Sequence, residues 1–290
     1  MIPLVLSILS STLIFVIFKL FQRFGINTFQ AIVVNYFTAA ILGFALFHDE
    51  WNPQAMQESS WMIAAGFTAF LFIGLFFIMG KSSQVNGVAS TSVAVKMSMA
   101  ISLIIMIQAY DESLDWKKIL GIGFAFLGVY LVSSSSKKTK NVVSAAWMLV
   151  LLFLGSGILD FTLNYVQKFS LGSMPLPLFT AIGLGTAGII GFSILLVNLI
   201  RGKEKIALKN IIAGIVLGVP NYFSIYLLLL SYQSTGWNDT TVLAITNVSV
   251  VLCSAIFGFI AFKEKATIRK IIGLISAILA ITTLYIASCN

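Results

Sequence analysis

The sequence of 290 residues is poor in charge, cysteine and histidine. Charged residues make up 10% of it and hydrophobic residues 59%, whereas a soluble domain has about 25% charged residues. Too few polar residues exist to cover a water-soluble surface, which excludes a soluble enzyme and a disordered chain. Two cysteines exclude a disulfide scaffold. No paired-carboxylate, Cys/His or phosphate-loop spacing occurs, so we predict no catalytic residues, no metal site and no cofactor.

Long apolar runs fill the chain instead. A membrane-spanning helix needs about 20 apolar residues, and these runs have that length without the alternation of barrel strands. The sequence therefore predicts an all-α polytopic membrane protein with ten transmembrane helices. The predicted spans are 3–21, 28–47, 61–80, 86–108, 117–134, 144–168, 175–199, 209–232, 239–261 and 268–287. Pro220 lies within the eighth, where we expect a kink or local unwinding.

The two halves of the chain resemble each other. Glu112 and the helix start after it match Glu264 and its helix start at an offset of 152, and Gly43 matches Gly191 at an offset of 148. We therefore predict two five-helix repeats, residues 1–140 and 141–290. Because five is odd, the repeats have opposite membrane orientations, and inverted repeats of this kind place a transporter's site near the midplane.

The positive charges predict the orientation. The loops after odd-numbered spans, with the helix ends beside them, carry 14 of the 18 basic residues: Lys19, Arg23, Lys81, Lys137, Lys138, Lys140, Arg201, Lys203, Lys205, Lys209, Lys263, Lys265, Arg269 and Lys270. The even-numbered side carries Lys117, Lys118 and Lys168. The positive-inside rule puts the odd-numbered loops in the cytoplasm and both termini outside. Charge between apolar runs meets lipid headgroups, so we predict a lipid bilayer and no nucleic acid as partner.

The repeat signature is similar to the EamA-type branch of the drug/metabolite transporter superfamily. It consists of a short turn with Glu112 or Glu264 before a glycine-bearing last helix, in each of two five-helix repeats. The resemblance implies a ten-helix fold with a central cavity and alternating access, and small metabolites, often amino acids exported from bacteria, as substrates. It also implies the bacterial inner membrane. Many members are assigned cytoplasmic termini, which disagrees with the outside termini that the positive charges predict here. Where the family usually has a proline, 14 residues before each glutamate, this chain has Ser98 and Val250.

Lys96 is the sharpest candidate site residue. A lysine near the centre of a span costs about 2.5–3.5 kcal/mol on insertion scales and usually marks a pathway or a paired site. Its counterpart in the second repeat is Asn247, at an offset of 151. In nucleotide-sugar and triose-phosphate relatives, lysines on the fourth and ninth helices anchor substrate anions. Since only the fourth-helix charge is present here, the comparison favours a carboxylate over a phosphate; a structural lysine neutralised by an acid is the alternative.

Asp160 supplies the acid. It forms one polar stripe on the sixth span together with Ser156, Asn164 and Gln167. Three interpretations stay open: a pair with Lys96 that opens when substrate arrives, a proton carrier, and a fixed buried pair.

Amides at the same predicted depth complete the candidate site. Asn35, Asn221 and Asn247 lie near the middle of their spans, and such amides often bond a neighbouring helix. Taken with Lys96 and Asp160, and with Asn164, they predict a wet central cavity that binds substrate. Glycines such as Gly183 predict close helix packing. In the family that this chain resembles, the fifth and tenth helices are peripheral, and the resemblance therefore implies a weak homodimer face at spans five and ten, which carry Gly121, Ala125, Gly128 and Ala280.

The sequence thus predicts a secondary transporter that exports a small polar metabolite, such as an amino acid or related carboxylate, by alternating access. Proton or ion coupling is expected because no ATP-binding loop exists. A transporter of phosphorylated or nucleotide-linked sugars is one alternative. A non-transporting membrane scaffold, the alternative of another class, would not need six polar residues at midplane depth.

Overall fold

The computed structural model describes residues 1–50, 60–109, 115–134, 143–170, 173–235 and 239–288, and within these ranges it is helical and contains no strand. The all-α prediction is confirmed. The helices are α1 Ile2–Arg23, α2 Thr28–Phe47, α3 Ser60–Val85, α4 Val88–Met97, α5 Met99–Ala109, α6 Trp116–Ser134, α7 Val143–Tyr165, α8 Leu176–Ile200, α9 Leu208–Ser234, α10 Asp239–Ile260 and α11 Ile268–Ser288. Each predicted span falls on one helix, except that α4 and α5 share the fourth.

Among the described residues, eight helices are long and apolar enough to cross a membrane. They include α1, α3 and the α4–α5 segment, Val88–Ala109. Many large apolar side chains on their outer faces are exposed, for example Ile41, Ile63 and Ile189, as a bilayer solvent permits. The chain is an integral membrane protein.

The helices form two compact units, each drawn from both halves of the sequence. The first unit contains Met1–Leu20, Ile78–Phe161 and Ser224–Asn290, and the second contains Phe21–Phe77 and Thr162–Phe223. The predicted repeat boundary between residues 140 and 141 lies outside the described residues. Each compact unit combines helices from the first and the second half of the chain, so the units do not coincide with the predicted repeats.

In the first unit, α6 and α11 pack closely through glycines. A Cβ atom on Gly121 would lie 2.6 Å from the Leu284 side chain, and one on Gly273 would lie 2.7 Å from that of Val132. Ser276 Oγ donates a hydrogen bond of 2.8 Å to the Phe124 carbonyl. The small residues on which we placed a weak homodimer face are thus used inside the chain.

In the second unit, α2 is the central packing partner. A Cβ on Gly214 would lie 2.6 Å from the Ala31 carbonyl oxygen, and one on Gly218 would lie 2.9 Å from that of Asn35, so α9 lies almost backbone to backbone on α2. From the other side, α8 brings Gly191 against Val33. The packing role predicted for these glycines accords with these contacts.

The structure excludes local unwinding at Pro220 and adds a π-helical turn at the end of the sixth span. The helix α9 continues through Pro220 from Leu208 to Ser234, without the predicted unwinding. The sixth span does not stay α-helical to its end, because α7 ends at Tyr165 and a π-helical turn, Val166–Ser170, follows. A π turn widens the helix locally and shifts the register of the side chains beyond it.

Candidate binding site

A break in the fourth span organises the candidate site. The helix α4 ends at Met97 and α5 begins at Met99, with Ser98 between them. The Ile101 amide bonds the Ser98 carbonyl over three residues at 2.9 Å, whereas the Ser102 amide bonds it over four at 3.1 Å. The turn therefore tightens here without the proline that the family usually has. Ser98 itself keeps a right-handed helical backbone, with φ −54° and ψ −22°, so the break is a tightened turn and not an unwound segment.

Asp160 lies at this break. Its Oδ2 atom accepts a hydrogen bond of 3.1 Å from Ser98 Oγ. One turn earlier on α7, Gly157 packs so closely that a Cβ there would lie 2.8 Å from the Ser98 carbonyl oxygen and 2.5 Å from Ile101. Asp160 thus projects from the face of α7 that packs on the break, and its side chain is nevertheless exposed. It is not sealed in dry packing.

Lys96 precedes the break by two residues and occupies the last turn of α4. Its side chain is half-buried, and its ammonium interacts electrostatically with the Asp160 carboxylate. The two are not joined by an ion pair within 4.0 Å among the described contacts. The structure therefore brings together the cation and the acid that the sequence predicts, as neighbours with space between their charged atoms rather than as a closed salt bridge.

Asn247 reaches the same break from α10. Its Nδ2 atom donates to the Met99 Sδ atom at 3.7 Å, and only 6% of the residue is exposed. The second-repeat counterpart of Lys96 therefore contacts the first residue of α5. Three of the six predicted site residues, Lys96, Asp160 and Asn247, converge on one point of the first unit.

The other predicted residues belong to the second unit. Asn35 on α2 is fully buried, and among the described residues neither its Nδ2 nor its Oδ1 atom has a hydrogen-bond partner. Asn221 on α9 is also buried. Asn221 comes three residues after Gly218, and Gly218 packs on the Asn35 carbonyl. Both asparagines therefore lie on the two helices that meet in the α2–α9 contact. The side chain of Asn164 lies outside what the structure describes.

Sequence reasoning missed Ser98 and Gly157 as parts of this site. The signal for Ser98 was present, because it stands where the family pattern has a proline. A serine can bend a helix when its hydroxyl bonds a carbonyl of the preceding turn, and Ser98 Oγ lies 2.6 Å from the Val95 carbonyl oxygen. Gly157 had no signal in the sequence, since the partner that demands a small residue is 56 positions away.

Arranged in this way, the cluster offers complementary chemistry. An ammonium, a carboxylate and an amide, from α4, α7 and α10 respectively, face one helix break. Lys96 is suited to bind an anion, and Asp160 is suited to bind an amine or to carry a proton.

Known proteins resemble this chain along its length. Residues 1–134 match the EamA-like transporter family. An uncharacterized protein of Haemophilus influenzae is 28% identical over 97% of both chains. A probable glucose uptake protein, GlcU of Priestia megaterium, is 26% identical over 72% of this chain and 73% of its own. One crystal structure of a protein aligns over 98% of this chain and 99% of its own with a TM-score of 0.57 and 10% identity, which shows a shared fold alone.

Proposed function

We propose that this chain is a secondary transporter of a small carboxylate metabolite, such as an amino acid. The premise is its similarity to the EamA-like transporters of the drug/metabolite transporter superfamily, which places it in the bacterial inner membrane. In this proposal it has ten membrane spans in two inverted repeats. It exports its substrate by alternating access, with Lys96 as the anion anchor.

Packing between equivalent helices supports the inverted repeats. The contacts Gly121–Leu284 and Gly273–Val132 exchange under the single offset of 152 that relates the two repeats in sequence. Such reciprocal contacts are what a local two-fold axis produces. Other equivalent pairs also pack on each other, α2 with α8 and α4 with α10.

The observation that carries the proposed function is the position of Lys96 at the mid-span break, half-buried and beside an exposed Asp160. The tightened turn lies near the predicted middle of its span, which is the depth at which secondary transporters bind their substrates. One ammonium matches one carboxylate group. Asn247, the equivalent residue in the other repeat, is neutral and adds a hydrogen-bond donor rather than the second cation that a phosphate would favour.

Asn35, Asn221 and Asn164, in the second unit, are proposed as further hydrogen-bonding groups for substrate. The two unsatisfied amide atoms of Asn35 support this assignment, because a buried polar group without a partner is costly unless a ligand or water satisfies it. Energy for transport comes from a gradient, with Asp160 as the proton carrier, or from exchange.

Uptake by purified protein in liposomes tests the proposal. A panel of radiolabelled amino acids, organic acids and sugars is offered to the native protein and to Lys96→Gln, Asp160→Asn and Lys203→Gln. The last is a matched control because Lys203 lies exposed in the loop before α9. We expect a carboxylate substrate whose transport is lost in the two site variants and kept in the control. Inertness toward the whole panel would favour the scaffold.

A neutral sugar is the second candidate, and the similarity to the probable glucose uptake protein favours it. In the first unit, a sugar would be bound by the Asn247 amide, with Asp160 accepting hydrogen bonds from its hydroxyls. In the same assay, labelled glucose transported equally well by the native protein and by Lys96→Gln would support this candidate against the carboxylate.

A further inference from the structure

Glu264, in the loop between α10 and α11, binds the start of the helix that carries Lys96. Its Oε1 atom accepts a hydrogen bond of 2.7 Å from the Val88 amide, the first residue of α4. The preceding residue, Gly87, has no side chain to cap the helix. The Glu264 carboxylate therefore caps α4, and its negative charge interacts favourably with the positive end of the helix dipole.

Glycines shape the space around this carboxylate. Gly87 has a φ of +95°, and a Cβ there would overlap all three atoms of the Glu264 carboxyl group. On α10, a Cβ on Gly258 would lie 3.0 Å from Oε2. The side chain of Glu264 is only 7% exposed. The carboxylate thus occupies a fitted slot between α4 and the end of α10.

Two lysines, Lys270 and Lys19, lie near the Glu264 carboxylate. Lys270 Nζ on α11 is 3.8 Å from Oε2 and 3.5 Å from the Asn86 carbonyl oxygen. Lys19 Nζ on α1 donates 2.8 Å to the Gln84 carbonyl and interacts electrostatically with both Glu264 and Lys270. Within the described chain, Oε2 has no hydrogen-bond partner. One carboxylate oxygen is therefore bound to α4, while the other forms a long ion pair of 3.8 Å with Lys270.

Beyond the slot lie hydroxyls that lack partners. Ser83 on α3, Ser90 on α4 and Ser254 on α10 are buried, and their Oγ atoms make no hydrogen bond among the described residues. Ser90 lies between Val88 and Lys96 on α4, and Ser254 lies one turn before Gly258 on α10. Buried polar atoms usually have a partner. Three such hydroxyls, on helices that end or begin beside the slot, are what a closed, polar-lined passage would contain.

We propose that Glu264 is a latch that closes this passage by holding the start of α4 on the α10–α11 loop. When the carboxylate leaves the Val88 amide, its ion pair with Lys270 shortens, Lys19 adds a second positive charge beside it, and α4 is free to move. Lys96 lies eight residues further on, about 12 Å along the helix at 1.5 Å per residue. Glu264 is therefore a positioning residue that acts on Lys96 through α4. This role rests on the proposed function, but its test requires no substrate.

Cysteine accessibility tests the latch. Ser90→Cys, in a Cys253→Ser, Cys289→Ser background, is a reporter inside the passage, and Ser276→Cys is a reporter on α11, which bonds α6 instead. Purified full-length protein in nanodiscs is treated with a membrane-impermeant maleimide. In Glu264→Ala we expect labelling at position 90 to rise about tenfold or more, because a charge-assisted hydrogen bond is lost. The rise should be smaller in Glu264→Gln, which keeps an acceptor for Val88, and position 276 should be unchanged.

Two results would overturn the latch. Labelling at position 90 that stays at the parent rate in Glu264→Ala would show that Glu264 does not close the passage. An equal rise at positions 90 and 276 would show that the residue only stabilises the fold. Failure of the transport assay leaves both readouts intact, so the two proposals fail separately.

Discussion

The two units each hold a buried or half-buried glutamate that joins two odd-numbered loops, yet they hold it with different chemistry. In the first unit, Glu264 has a backbone amide and a lysine 3.8 Å away. In the second, Glu204 Oε2 accepts from Gln30 Nε2 at 2.8 Å and from Asn27 Nδ2 at 3.4 Å. Asn210 completes this network. Its Nδ2 atom donates to Gln30 Oε1 at 2.7 Å, and its Oδ1 atom accepts from the Asn27 backbone N–H at 3.0 Å.

The difference shows which unit is built to change its contacts. In the second unit, an amide network satisfies its members in both directions, so every bond supports the next. In the first, one hydrogen bond from a backbone amide and a long ion pair with Lys270 hold the carboxylate, and Lys19 interacts with it electrostatically. The same contrast holds at mid-span, where the first unit has Lys96 and Asp160 and the second has buried amides. We assign substrate-linked electrostatic change to the first unit.

The largest effect should come from the charges at the helix break. Lys96→Ala and Asp160→Ala should each reduce transport by roughly tenfold to a hundredfold, because each removes a charge-assisted interaction of about 1.5–3 kcal/mol. We expect the double variant to recover none of the loss in the liposome assay. Recovery in the double variant would mean that the two form a purely structural pair.

Gly157 should be nearly as sensitive, through packing. Gly157→Ala places a Cβ against Ile101 and the Ser98 carbonyl, and overpacking of this kind costs about 1–3 kcal/mol. We expect a lower thermal unfolding midpoint and reduced transport. Gly66→Ala on α3 is the matched control, since a Cβ there meets nothing within 4 Å. Equal midpoints for the two variants would disprove the close approach of α7 to the break.

The glutamates of the two units should differ in what their loss does. Glu204→Ala should lower the free energy of unfolding by about 1–3 kcal/mol, because it leaves the Gln30 amide unsatisfied, while labelling at Ser90→Cys stays at the parent rate. Thermal unfolding and maleimide labelling of the same preparation check both expectations. If Glu204→Ala opened position 90 as Glu264→Ala does, the contrast between the units would be lost.

The smallest effect concerns Asn35. If its unpaired amide serves the substrate, Asn35→Leu should keep or raise the free energy of unfolding by about 1 kcal/mol, because a buried unsatisfied group is removed. Transport should fall at the same time. Lower stability with unchanged transport would instead assign Asn35 to the structure of the second unit.

The helices and the charged pair were predictable from the sequence, because each leaves a local signal. A run of about 20 apolar residues predicts a span, and Lys96 and Asp160 stand out in such runs by their cost in lipid. The structure places these two side chains near each other, while their role as one substrate site stays a prediction. The glutamate turns also gave the family resemblance that the match over residues 1–134 confirms.

The rest depends on contacts between distant segments. Nothing local in the sequence shows that Glu264 caps α4, 176 residues earlier, or that Gly157 must admit the Ser98 carbonyl. Pro220 predicted a kink or local unwinding, and α9 continues through this residue without unwinding. Conversely, the fourth span is interrupted without a proline at Ser98, whose hydroxyl oxygen lies 2.6 Å from the Val95 carbonyl oxygen and 3.1 Å from the Asp160 carboxylate.

A thermal-shift screen of metabolites, run in parallel on the native protein and on Lys96→Gln, tests the central claim most directly. The account predicts that a small carboxylate raises the unfolding midpoint of the native protein and leaves that of Lys96→Gln unmoved, while both unliganded proteins unfold at similar temperatures. A carboxylate that stabilises Lys96→Gln as much as the native protein would contradict the assignment of Lys96 as the anion anchor.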